Sequence, residues 1–537
     1  MKVWCLALLL ALPASQSFGR NGGFVQPGRA LGHWGVGNGG DWLRIGFARA
    51  REHAANIVSR LPEAAIATID DSNTRNWLQK NQQLLAADIL TTEHIWYQEA
   101  QPTCAWTVPP TDNQPIPTAN PVQFSYPACR DRVYSFYEAT QLLIHESVHH
   151  FGEGETMADK VAIAVVDSWR DGRIEWLPMV ERGAPSSRSL HTAVWTGDEM
   201  IVFGGRDGSS GSTLDDGGVF DPIKNQWKKI TITSGKKRYM HSAHWTGEKM
   251  IVWGGYRING GSAVWRYDGF IYDPRSGEVE TIENPGWNPV SSTWAFDPRQ
   301  QSVWTGDRLI VWGGVDENGD AIGGSYDPIT KSWDDLGRRQ IDAPQKIAGH
   351  SLTFTGKEII VWGGYEGADG GSRRVTQTGA VYKLAEGQWI DIQTNGQTPS
   401  PRAGHQAVWT GSELFIFSGG GVASQRELKS TGGLLNPNTM KWQAVSSEMV
   451  IERQGHTTIW NGHEALVYGG KSNRLRTYFS EVYRYDPQSA RWQGVNSKTT
   501  PESRWQHSAV WTGSSLIIWG GNNGNGRDLR TGGIYYP

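Results

Sequence analysis

Cysteine is scarce in this chain and confined to one end of it. Three occur in 537 residues, Cys5, Cys104 and Cys129, and none follows Cys129. Any chemistry that needs a thiol is therefore excluded from the long C-terminal part. An excess of charge of one sign is also lacking. The net charge is -3 and no basic block is present, so nothing electrostatic points to nucleic acid or an anionic membrane as partner. Long apolar runs are lacking too. The first, Val3 to Leu12 in MKVWCLALLLALPASQSFG, is too short to span a bilayer, and no later segment is long and apolar enough. With one Lys before it and small residues after it, residues 1–19 read as a signal peptide cleaved between Ala14 and Gly19. The expectation is a secreted or periplasmic protein without a membrane span. Cys5 leaves with the leader, and Cys104 and Cys129 read as one disulfide closing a Pro-rich loop.

Glycine and tryptophan are abundant, 66 and 27 residues. That pairing suggests many tight turns and large aromatic wedges, as in repetitive β structure. The length exceeds what one core usually serves, so at least two domains are expected. From about residue 174 the chain repeats itself. WTGDEMIVFGG from Trp195, WTGEKMIVWGG from Trp245, WTGDRLIVWGG from Trp304 and FTGKEIIVWGG from Phe354 align. So do WTGSELFIFSGG from Trp409, WNGHEALVYGG from Trp460 and WTGSSLIIWGG from Trp511. These are seven copies, about 50 to 59 residues apart. Each has a tight turn, a short apolar strand, a Gly pair, a variable loop and a second strand ending in a turn such as YDP. A Trp follows in most copies: Trp227, Trp333, Trp389, Trp442 and Trp492. Units of this size cannot bury both faces alone and must pack around an axis.

These copies resemble the kelch repeat, and seven of them imply a seven-bladed β-propeller over residues 174–537. The last copy stops at GGIYYP without its outer Trp strand, and the segment around Trp176 is the expected substitute, closing the ring. His191, His241, His350, His405, His456 and His507 stand four residues before the repeat's Trp or Phe, and Gln300 takes that place in the third copy. Arg188, Arg238, Arg402, Arg453 and Arg504 stand three residues before their His. A position shared by six of seven copies is set by blade packing, so these are read as structural. Some kelch propellers are copper oxidases resembling galactose oxidase, which need a Cys linked to a Tyr; the lack of Cys excludes that activity. The propeller is read as a platform whose variable inserts, such as RDGSSGSTLDDGG from Arg206, recognise a protein, peptide or glycan.

Residues 20–173 differ. Helical spacing covers Leu43 to Leu61 and Asn76 to Ile89; residues 104–129 read as irregular; one helix is expected over 131–151. That helix carries His145-Glu146-Ser147-Val148-His149. Histidines four apart share a helix face, so both imidazoles can hold one zinc, with Glu146 beside them to hold a metal-polarised water. Gly152 ends the helix, and a second, starting at Glu155, runs back with Glu155 and Asp159 on the same face. This resembles gluzincins, whose third ligand is the Glu of E-x-x-A-D; Glu155-Thr-Met-Ala-Asp159 matches. The resemblance implies zinc on His145, His149 and Glu155, with Asp159 supporting the ligand shell. The short gap from His149 to Glu155 departs from that family, and a metzincin alignment also selects Glu155, with no Met-turn in view. His150 is left as second shell, surface or alternative ligand.

The expectation is thus a multi-domain chain, a mainly α zincin-like domain followed by an all-β seven-bladed kelch propeller, with no nucleic-acid partner and a monomeric state. The leading function is an exported zinc metallopeptidase with Glu146 as general base. The alternative is a binding or adhesion protein with a structural or inactive metal site. A weaker one is a propeller sugar lyase or epimerase.

Overall fold

The computed structural model describes residues from Arg51 to Pro537, apart from residues 98–104, 107–121, 126–135, 171–175, 288–300, 367–373, 421–430, 496–499 and a few shorter gaps. The leader, Cys104, Cys129 and Gln300 lie outside the described residues. The helices fall in one compact unit and the repeats in another.

The first unit holds α1 (Glu63–Ala67), α2 (Ser72–Thr91), α3 (Phe136–His149) and α4 (Glu155–Arg170). Ahead of them, the described residues of 51–59 are helical, with Ala54, Ile57 and Val58 fully buried. Helix α2 starts four residues before the expected Asn76 because Asp71 caps it, accepting from Thr74 N–H at 2.8 Å. Those Thr74 bonds hold the Asp71 carboxyl down at about 2. Leu78 and Leu85 of α2, Ile144 and Val148 of α3, and Val161 and Val165 of α4 form the core, all fully buried.

The stretch read as irregular contains strands. His94–Tyr97, Val122–Ser125 and Ala105–Trp106 make a three-stranded sheet in that spatial order, its first pair parallel. HIWY and VQFS have the β-branched and aromatic side chains strands favour. At four residues each they are too short to show a period, and their pairing is non-local.

The second unit contains seven four-stranded sheets among the described residues, one per repeat. The first is Thr192–Trp195, Met200–Phe203, Asp216–Asp221 and Gln226–Thr231, each strand antiparallel to the next. In six of the seven sheets the second strand is buried throughout: MIVF, MIVW, EIIVW, LFIF, ALVY and LIIW. The seventh sheet takes its fourth strand from Trp176–Pro178, beside Gly532–Tyr535, as expected from the missing Trp strand.

Cores lie between successive sheets. One joins Phe203 and Ile201 to Met250, Val252 and Phe270; the next joins Ile251 and Trp253 to Leu309 and Val311. The fourth-strand Trp of one sheet packs on the second-strand aromatic of the sheet before it. Trp333 meets Trp253 at 4.9 Å, Trp389 meets Trp312 at 4.5 Å, and Trp492 meets Phe417 at 4.6 Å between ring centroids. Trp227 of the first sheet meets Trp519 of the seventh in the same way, at 5.3 Å. The first strands of successive sheets are neighbours, and that of the seventh neighbours that of the first. Backbone bonds follow this order: Met240 N–H donates to Leu190 O, Leu190 N–H to Gln506 O, and Gln506 N–H to Gly455 O. Leu190, Met240 and Gln506 accept a left-handed backbone, φ 54 to 57°, to make them, a conformation that costs on the order of 1 kcal/mol or more outside glycine.

Candidate functional site

Helix α3 forms where no Gly or Pro interrupts an apolar face, and it ends at His149 in a turn closed by Gly152. That residue sits at φ +78° and donates its N–H to His149 O at 3.0 Å. A five-residue reversal, His150 to Gly154, then starts α4, whose first turn carries Glu155. The reversal brings the three expected ligands together. His145 Nε2 lies 3.2 Å from His149 Nε2 and 3.4 Å from Glu155 Oε2, and His149 Nε2 lies 3.7 Å from Glu155 Oε1.

The other ring nitrogens point to acceptors. His145 Nδ1 is 3.0 Å from Asp159 Oδ1, and His149 Nδ1 is 2.8 Å from Glu153 O. A carbonyl can only accept, and so can an ionised carboxylate, so each Nδ1 carries the hydrogen. With both rings neutral, the two Nε2 atoms turn a lone pair toward each other and toward the Glu155 carboxylate. Three such acceptors at 3.2 to 3.7 Å call for a cation between them, which a metal ion or a proton on one ring can supply. Ligands about 2.0–2.1 Å from a tetrahedral zinc stand about 3.3 Å apart, so the donor set fits that ion in type and in spacing. Burial and the neighbouring His149 draw His145 below its ordinary value, while Asp159 and Glu155 oppose this. The neutral imidazole is the form a metal binds.

Glu146 is buried on α3, 2% exposed. Glu155 and Asp159 are half open to solvent, with side chains 52% and 41% exposed, so the cluster has an accessible side. His150 is not part of it: the ring is fully buried and its Nδ1 lies 2.8 Å from Asp88 Oδ2 of α2, itself buried. It ties α3 to α2.

The repeat histidines and arginines are structural. All six histidines are buried. His191 Nε2 is 2.8 Å from Ser508 Oγ, His241 Nε2 is 2.7 Å from Thr192 Oγ1, and His507 Nε2 is 2.9 Å from Thr457 Oγ1, each crossing to the preceding sheet. Burial, with the nearby arginine, lowers His191, His405 and His456 to about 3. Each fully buried arginine donates to carbonyls of its own sheet: Arg402 Nη1 to Ser418 O at 3.0 Å, Arg504 Nη1 to Gly520 O at 3.0 Å. Sequence reading missed His244. Its Nε2 lies 2.8 Å from Ser302 Oγ of the third sheet, the sheet whose repeat carries Gln300 instead of histidine. An isolated histidine inside a strand gives no signal of that substitution.

The loops between second and third strands leave one end of each sheet, opposite the tight turns. Two are hairpins, Tyr256–Asn259 with Ser262–Trp265 and Lys471–Ser472 with Thr477–Tyr478. Trp265 lies against Tyr256, 3.8 Å between centroids, and Lys471 Nζ sits 3.5 Å from the Trp505 ring centroid. A cavity of about 170 Å³ is lined by Lys471, Ser472, Asn473, Arg476 and Tyr478. Val264 and Leu475 are exposed apolar residues in these hairpins. No described helix is long and apolar enough to cross a membrane.

Comparison with known proteins finds the same repeats. A family model described as the KLHDC2/KLHL20/DRC7 Kelch-repeats domain matches residues 167–296 and 299–521. Kelch domain-containing protein 3 of Homo sapiens is 23% identical over 294 residues, covering 49% of this chain and 75% of that protein. Tip elongation aberrant protein 1 of Schizosaccharomyces pombe is 25% identical over 48% of this chain, and host cell factor of Drosophila melanogaster 25% over 41%. The match spans only 23% of the yeast protein and 17% of the fly protein. With that model matched over well more than half of its length, the chain belongs to the KLHDC2/KLHL20/DRC7 kelch-repeat family.

Proposed function

We propose that this kelch-repeat protein is a protein-interaction platform, its seven sheets closed into a seven-bladed propeller that presents the second-to-third-strand loops to a protein partner. The observation that carries this is the pairing of a repeated, hydrogen-bonded frame with loops that differ in every repeat. Sheets braced by inter-sheet aromatic wedges, five of them with a buried Arg, fix the loop ends, while the loops carry half-buried aromatic and cationic side chains and the exposed Val264 and Leu475. A photo-crosslinking amino acid at Val264 or Leu475 in cells is expected to trap one protein of defined mass. The same probe at Ile329, 88% exposed in a turn at the other end of the third sheet, is expected to trap none. Adducts from Ile329 alone would contradict the assignment.

A second reading is favoured by the convergence of His145, His149 and Glu155: a zinc centre with hydrolytic capacity. These three side chains would hold the ion, with Asp159 and the Glu153 carbonyl fixing the imidazole tautomers. Zinc would supply a polarised water at its fourth position. Glu146 would accept a proton from that water on its carboxylate and return it to a leaving group. Elemental analysis of the purified chain is expected to give one zinc, lost in His149→Ala and retained in Glu146→Gln. Absence of zinc after reconstitution would remove this reading and leave the platform intact.

A further inference from the structure

The carbonyl that orients His149 belongs to Glu153, in the middle of the reversal. Glu153 stands between Gly152 and Gly154, and a Cβ at either glycine would meet nothing within 4 Å. Gly152 N–H donates to His149 O and Gly154 O accepts from Met157 and Ala158 N–H, so backbone bonds hold the two ends of the reversal, and what remains is to fix Glu153 between two permissive glycines. Helix α2 does so. Trp77 Nε1–H donates to Glu153 Oε1 at 2.7 Å, and the same indole meets Phe151 edge-on at 5.5 Å. The Asp88–His150 pair fixes the start of the reversal, and Trp77 fixes its middle. Trp77 is 76 residues from Glu153, on an element that contributes no donor to the metal cluster.

We propose that Trp77 is a positioning residue for the metal centre. By anchoring Glu153 it holds the 153 carbonyl against His149 Nδ1–H and keeps the His149 Nε2 lone pair aimed at the cluster. This rests on the zinc reading for its function but not for its geometry. Trp77→Phe removes the indole N–H and keeps a ring for Phe151. Glu153→Ala removes the acceptor, and Glu153→Gln keeps one.

Two readouts on the full chain separate the possibilities: the zinc dissociation constant by chelator competition, and the His149 tautomer by ¹⁵N chemical shifts in the metal-free protein. Trp77→Phe and Glu153→Ala are each expected to weaken zinc about tenfold, the lower end for groups that orient a ligand. The double variant should be no weaker than either, and Glu153→Gln should stay near wild type. Metal-free Trp77→Phe should show a mixed His149 tautomer where the wild type shows only Nδ1–H, with an unchanged circular dichroism spectrum. Wild-type tautomer and affinity in Trp77→Phe would overturn the proposal. If the wild type binds no zinc, the metal reading fails on its own, and the tautomer still decides the role of Trp77.

Discussion

At the scale of single residues, burial decides what each histidine can do. His405 is 6% exposed, near Arg402, and its pKa falls from 6.5 to about 3. The unfolded chain thus binds a proton between pH 6.5 and 3 that the folded chain refuses. Stability from this residue is complete above pH 6.5 and lost as pH falls through that window, at about 1.4 kcal/mol per pH unit at most. His191 and His456 act in the same direction. Urea unfolding from pH 7 to pH 4 should show a steep loss, and His405→Gln should show a shallower one; equal slopes would contradict the burial argument. His145 and His149 differ in being partly open and in facing acceptors. Their placement was legible because a helical spacing of four is local. The role of His244 was not, because its partner Ser302 lies on another sheet.

At the scale of elements, the wedge between sheets is the unit of stability. Trp519 is fully buried against Trp227, and Trp362 is fully buried against Trp442, both pairs at 5.3 Å. Trp519 stands where the last sheet meets the first; Trp362 stands between two interior sheets. Truncation of a buried Trp to Ala costs about 3–5 kcal/mol. In a closed ring, Trp519→Ala and Trp362→Ala should cost alike in chemical denaturation. A much smaller loss for Trp519→Ala would mean that the ends of the array are not joined. The fourth-strand tryptophans were readable from their fixed distance after the YDP-type turn. Their partners were not, because second-strand aromatics look the same whether they face the sheet before or the sheet after. The three short strands between His94 and Ser125 were hidden for a related reason: four residues set no period, and pairing across the chain leaves no local mark.

At the scale of the whole molecule, a repeating frame carries loops that do not repeat. The frame was visible in the sequence because the sheets solve the same packing problem with recurring residues, the Gly pair in every repeat, the buried Arg in five and the fourth-strand Trp in most. The loops were visible only as departures from that pattern, since the packing between sheets does not require them to repeat. The helical unit adds a donor cluster that one local sequence motif and one reversal assemble. Its support from Trp77 was out of reach of the sequence, because nothing in the composition of α2 singles that residue out.

The central claim, that the loop ends of the kelch sheets receive a protein partner, is tested most directly by hydrogen exchange on the full chain with and without the protein trapped by crosslinking. Binding is predicted to slow exchange in the hairpins Tyr256–Trp265 and Lys471–Tyr478 and to leave the turns around Ile329 unchanged. Protection confined to those turns, with both hairpins exchanging as in the free chain, would contradict it.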